Sequence, residues 1–173
     1  MRIISGGQTG VDRAALIAAK IVGLKTGGMM PKGFRAQDGN HPGFKELYGI
    51  EEHHSDSYKP RTLWNVQNSD ATLQIAEFMN SPGELLTTKY IMKERKPFCS
   101  ITIKPDEGIP KHRMDFVLEW LLEENPHVLN VAGNAESTSA GIQRVTTNFL
   151  VKLFSQLPKE DLTFLQEDLK FEV

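Results

Sequence analysis

Three stretches of the chain place glycine, serine and acidic residues between an apolar run and a helix-like run. The first is Ser5-Gly6-Gly7-Gln8-Thr9-Gly10, which follows Met1–Ile4 and precedes a helix-like run from Val11 to Val22. Glycine in a turn costs backbone entropy, so its use there points to something that must approach the bare main chain. The unpaired N–H groups of a first helical turn, together with the helix dipole, favour an anion. On that reading Gly6, Gly7 and Gly10 admit a phosphate-like group, and Gln8 and Thr9 add polar side chains. Asp12 lies in the first turn, where the dipole alone favours a carboxylate. In a functional role it would hold a ribose hydroxyl, Arg13 or a metal.

The second stretch, Asn80-Ser81-Pro82-Gly83-Glu84, opens another helix-like run, and its Ser81 either caps that helix or joins an anion site. The third runs from Gly133 to Gly141, with Glu136, Ser137, Thr138 and Ser139 in the loop. A further segment, Pro60–Leu73, supplies Arg61, Asn65 and Asp70. Arg61 suits a forked contact to phosphate or carboxylate, and Asp70 is equally a turn residue. Trp64 reads as core. Two familiar phosphate motifs are excluded. A Walker loop ends in Gly-Lys-Ser/Thr, whereas Gly10 is followed by Val11 and Asp12. A dinucleotide fingerprint needs G-x-G-x-x-G, and Ser5 stands where its first glycine belongs. His53 and His54 read as part of a solvated loop, so no metal site is assigned. Cys99, in a strand-like run, reads as buried and inert.

The elements that must carry these joints are strands alternating with helices. Strands are expected over 1–5, 25–27, 71–76, 97–103 and 127–133. Helices are expected over 11–22, 61–69, 84–95, 111–124 and 141–157, with a last one in the tail from Pro158. Residues 28–60 show no clear periodicity, and so long a stretch is usually functional or mobile. The alternation implies parallel strands joined by crossovers. The expected fold is therefore a three-layer, Rossmann-like α/β domain over residues 1–173, with a mainly parallel sheet and helices on both faces. In such folds ligands sit at the carboxyl ends of the strands, where all three joints would converge.

The 173 residues carry a net charge of −2, which gives no global field for nucleic acid or an anionic membrane. One cysteine cannot form an internal disulfide and argues for a reducing compartment. No run approaches the roughly 18 apolar residues of a membrane span. A cytoplasmic protein is expected, with neither nucleic acid nor membrane as partner.

The motifs "ISGGQTGVDRAAL", "GG…PKGFRAQDG", "RTLWNVQNSDATL" and "LNVAGNAES…GI" resemble the "putative molybdenum carrier" family. That family is also described as a circularly permuted branch of the SMF/DprA–LOG superfamily of Rossmann-like nucleotide-binding proteins. The resemblance runs from Met1 to roughly Phe154. It implies a cleft at the glycine turn and a phosphate-bearing ligand, either a pterin such as molybdenum cofactor or a nucleotide. Carried over by motif, Gly6, Gly7, Thr9, Gly10, Asp12 and Arg13 would line its phosphate end. Lys32, Gly33, Arg35 and Asp38 come from the second segment, and Arg61, Asn65, Ser69 and Asp70 from the third. Gly83, Glu84 and Gly133 join from the other two joints. The resemblance also implies self-association.

Two features depart from the family pattern. "SPGELLT" stands where relatives carry a Gly-Gly-Thr turn, and Asn134-Ala135 stands where they carry Pro-Arg. The first reading is a carrier or binding protein. The alternatives are a hydrolase of nucleoside phosphates of the LOG type, with Glu84 or Asp70 as acid or base, and a nucleotide-sensing regulatory module.

Overall fold

The apolar N-terminus forms β1 (Arg2–Ile4), and the alanine-rich run after the glycine turn forms α1 (Val11–Ile21). A computed structural model describes residues 1–158. The chain continues through β2 (Lys25–Met30), a 3₁₀ turn (Lys32–Phe34), a small hairpin of β3 (Arg35–Ala36) and β4 (Gly39–Asn40), α2 (Phe44–Tyr48) and β5 (Ile50–Glu52). It proceeds through α3 (Tyr58–Gln67), β6 (Ala71–Ala76), α4 (Pro82–Glu94), β7 (Phe98–Thr102), α5 (Lys111–Glu124), β8 (Val128–Gly133) and α6 (Ile142–Phe154). The main sheet has the order β5-β2-β1-β8-β6-β7. All its pairings are parallel, as the crossovers require.

Side-chain alternation divides the sheet into two unlike faces. Ile3, Leu73, Ile75, Leu129 and Val131 point to one face and form the main core with α1, α5 and α6. On the other face Thr72, Gln74 and Asn130 replace the expected hydrophobes. Gln74 donates to the Glu84 carbonyl in α4 at 3.0 Å, and Asn130 donates to Thr72 Oγ1 at 3.3 Å. A smaller apolar cluster of Leu16, Met30, Phe34, Tyr48 and Ile50 closes the β5 end. The result is the three-layer, Rossmann-like α/β fold. Among the described residues no helix is long and apolar enough to cross a membrane.

Several expected boundaries shift. Strand β2 extends to Met30 through Gly27 and Gly28, because these glycines are lattice-fitting residues rather than breaks. A Cβ on Gly28, whose φ is 129°, would lie 2.0 Å from the Ser5 carbonyl oxygen. Helix α3 starts at Tyr58 rather than Arg61, because Ser57 caps it by accepting from the Lys59 N–H at 3.4 Å. The unreadable 28–60 stretch is ordered through short pieces, each too brief to show a period. Helix α6 ends at Phe154, and the helix expected after Pro158 lies outside the described residues.

Candidate functional site

The joints after β1, β6 and β8 meet at the carboxyl edge of the sheet and enclose a cavity of about 340 Å³. Eight of the residues expected at a site border it: Gly6, Gln8, Asp12, Arg61, Asn65, Gly83, Glu84 and Gly133. Tyr58, Thr62, Thr87 and Asn130 add polar surface from α3, α4 and β8, and Gln37 reaches in from the hairpin.

At the centre is a buried ion pair. Arg61 Nη1, from α3, donates to Asp12 Oδ2, from α1, at 3.2 Å. Burial pushes the Asp12 carboxyl up, while Arg61 and the backbone N–H groups of Gln8 and Gly133 pull it back down. Gly6 is bare because of this pair: a Cβ there would sit 1.6 Å from Arg61 Nη1 and 2.5 Å from Asp12 Oδ2. Gly10, at φ 86°, is bare because a Cβ would lie 2.2 Å from the Asn134 carbonyl oxygen.

Three amides at the end of this turn are taken by the protein itself. Gln8 Oε1 accepts the Thr9 N–H at 2.9 Å, Gln143 Oε1 accepts the Gly10 N–H at 3.0 Å, and the Asn134 carbonyl accepts the Val11 N–H at 3.1 Å. The phosphate-like position at the start of α1 is filled by the Asp12 carboxylate. An external anion is the expectation at this turn; the structure sets Arg61 and Asp12 against Gly6 and the Asn134 carbonyl against Gly10. The sequence shows the same glycines whether a ligand or an arginine lies against them.

The second helix start repeats the arrangement. Glu84 is 4% exposed and stands in the first turn of α4. Its Oε2 accepts from Asn134 Nδ2 at 2.7 Å and from the Ser81 hydroxyl. Burial pushes the Glu84 carboxyl up to about 7; the nearby Asp12 charge adds to this, and Glu84's own N–H and Asn134 oppose it. Asn134, 1% exposed, also ties down the approach to α4, its Oδ1 accepting the N–H groups of Glu77 and Phe78 at 2.9 Å each. Asn134 and Asn130 were not among the expected site residues. The available signal was an amide interrupting, or directly following, the apolar run of β8.

The remaining expected residues lie elsewhere. Ser69 and Asp70 sit at the amino end of β6, on the opposite edge of the sheet. Ser69 Oγ donates to the Val66 carbonyl at 3.0 Å, and Asp70 Oδ2 accepts the Val128 N–H at 2.8 Å. A six-residue strand at about 3.3 Å per residue separates that edge from the cavity by roughly 20 Å. Asp70 therefore serves strand registry and cannot act as acid or base here. Arg13 is clasped by Asp38 at 2.5 and 3.0 Å on the outer side of the turn, and these bonds hold the Asp38 carboxyl well below the usual carboxylate range. Gly33 donates its N–H to Glu52 at 2.6 Å, and Lys32 is exposed. Gly7 packs on Met30, and Thr9 reaches Gln37 at 3.4 Å. Arg35 is exposed and outside the cavity lining, its guanidinium 5.3 Å from the centre of the Tyr58 ring. Asn65 borders the cavity but uses both ends of its amide to bind the Met29 main chain, at 3.0 and 3.1 Å.

This site of buried carboxylates at two helix starts sits in a chain whose residues 3–154 match the circularly permutated YpsA SLOG family. The chain belongs to that family. A solved structure from Syntrophus aciditrophicus SB, named "Putative molybdenum carrier protein", is 34% identical. It superposes with a TM-score of 0.79 over 88% of this chain and 93% of that one. No curated protein matches the chain. In this member of the family, the cleft side of the sheet is lined by two carboxylates and one guanidinium, which bonds Asp12 through Nη1 and whose buried Nε has no partner among the described residues.

Proposed function

We propose that the chain is a binding protein for a small phosphate-bearing molecule of the nucleotide or pterin class, held in the cavity at the carboxyl edge of the sheet. The observation that supports this most is the cavity itself, about 340 Å³, with buried Asp12, Glu84 and Asn130 and the partly buried Arg61 lining it. That volume suits a heterocycle or nucleoside moiety. Buried polar groups are costly unless something satisfies them. A donor-rich pterin fits such walls, in keeping with the carrier name of the Syntrophus protein. Bare molybdate fits less well, because the oxyanion would face the Asp12 and Glu84 carboxylates.

A thermal-shift screen of nucleosides, nucleotides, pterins, molybdate and tungstate tests this. A ligand at 100 times its Kd stabilises the fold by about 2.7 kcal/mol. The expected result is a shift with at least one organic probe, lost when Thr87→Trp fills the cavity. Uniformly flat melting curves across the screen would reject the reading.

A second reading is supported by Glu84. A carboxyl held at about 7 beside a ligand cavity is poised to protonate a leaving group near neutral pH, as hydrolysis of an N-glycosidic bond requires. Incubation with nucleoside monophosphates would then release free base, and Glu84→Gln would stop it. No base above the background of the variant would reject this second reading and leave the binding role intact.

A further inference from the structure

We propose that the cavity selects its ligand by a lactam edge, the carbonyl, ring N–H and amino group that guanine and pterin share, with the carbonyl on Arg61 and the two donors on Glu84 and Asn130. This selection rests on the binding role proposed above and names the heterocycle that the role takes. Once the protein's own hydrogen bonds are counted, three groups on the cavity wall have capacity left. Arg61 spends only Nη1, on Asp12 at 3.2 Å; its Nε is buried without a partner among the described residues, and its guanidinium lies 5.6 Å from the centre of the Tyr58 ring. Glu84 takes both Asn134 Nδ2, at 2.7 Å, and the Ser81 hydroxyl on Oε2, so among the described residues no other side chain holds its Oε1. Asn130 is 2% exposed; it gives Nδ2 to Thr72 Oγ1 at 3.3 Å, and among the described residues no donor reaches its Oδ1.

The unspent groups are of two kinds and stand on different elements. The donor, Arg61, is on α3; the acceptors, Glu84 and Asn130, are on α4 and β8. Thr87, also on the α4 wall, adds no donor, because its hydroxyl hydrogen is given to the Gly83 carbonyl at 3.0 Å. A guanine or pterin edge sets one carbonyl acceptor beside an N–H and an amino group, and so meets this set group for group. A carboxylate accepts from such donors with charge-assisted strength. Adenine reverses the pattern, with a ring-nitrogen acceptor beside an amino donor. Its lone pair would face Glu84 and its amino group Arg61, leaving buried groups on both sides unpaired. A site built to hydrogen-bond its ligand rejects an analogue on those grounds far more strongly than on shape.

The test is calorimetric titration of the full chain at pH 8 with two matched pairs: guanosine against adenosine 5′-monophosphate, and pterin against lumazine, which has a carbonyl in place of the amino group. The nucleotides carry the same ribose phosphate, so their difference reads the base edge. In every pair that binds, the first member should bind at least fivefold tighter. In Glu84→Gln the amide oxygen stays on Asn134 and the amide nitrogen turns a donor toward the ligand's donors, so the preference should fall at least fivefold; a thermal melt at pH 8 checks that this variant folds. The wild-type preference tests the selection without any variant. A preference below fivefold in a pair that binds, or a smaller fall in folded Glu84→Gln, would overturn the lactam selection and leave the binding role standing. Absence of binding by all four compounds would overturn the selection as well, and a flat thermal-shift screen alongside it would remove the binding role.

Discussion

Replacement of Glu84 by glutamine should make the protein more stable at alkaline pH and leave it nearly unchanged in mild acid. The carboxyl is buried at the start of α4, and its folded-state pKa is raised from 4.5 to about 7, first by burial and then by Asp12. A raised carboxyl pKa means the folded state holds the proton more tightly than the unfolded chain. The stabilisation is complete below about pH 4.5 and is lost as pH rises through about 7. At 1.36 kcal/mol per unit, the loss by pH 8 has a ceiling of about 3 kcal/mol. Local relaxation around the charged carboxylate offsets part of the cost, so about 1–3 kcal/mol is expected. Glutamine keeps an oxygen for Asn134 Nδ2 and has no charge to desolvate. Thermal melts of the two proteins should therefore nearly coincide at pH 4. At pH 8 the variant should melt higher, by about 2–4 °C for each kcal/mol in a chain of this size. Equal differences at both pH values, or a variant less stable at pH 8, would refute the assignment of Glu84 as the buried titrating carboxyl.

Arg61→Met should destabilise by about 3–5 kcal/mol, because it leaves Asp12 buried without its partner; Asp12→Asn added to it should recover much of the loss in a urea titration. Asn134→Ala leaves the Glu77 and Phe78 N–H groups without an acceptor and should cost about 2–4 kcal/mol, with the β6–α4 joint losing amide-exchange protection first. Gly133→Ala should prevent folding, since a Cβ would fall 1.7 Å from the Ile75 carbonyl oxygen across the sheet; a soluble variant with native circular dichroism would contradict this. Cys99 is buried in β7, where burial pushes its thiol up to about 11, so it should resist alkylation at pH 8 until the protein is unfolded.

The parallel sheet was legible because its strands are short, apolar and separated by helix-length amphipathic runs, a pattern that few topologies satisfy. The meeting of three joints at one edge follows from that topology, since every parallel strand delivers its carboxyl end to the same side. The segment 28–60 was not legible. It consists of a 3₁₀ turn, a hairpin of two-residue strands and a five-residue helix, each shorter than the window over which periodicity can be read. Asp70 looked like a site residue because it adjoins a buried strand, but adjacency along the chain does not say which end of the strand it marks.

Local pattern alone therefore specified the α/β architecture, the glycine turn, and the acidic first turns of α1 and α4. Each of these is written in residues within a few positions of one another. Tertiary structure alone decided what the glycines face. Arg61 comes to Gly6 from 55 residues away in the sequence, and Asn134 and Gln143 come to Gly10 from 124 and 133 away. A bare backbone records only that something lies close to it. Whether that is a phosphate or the protein's own guanidinium depends on contacts made when distant segments close over the sheet.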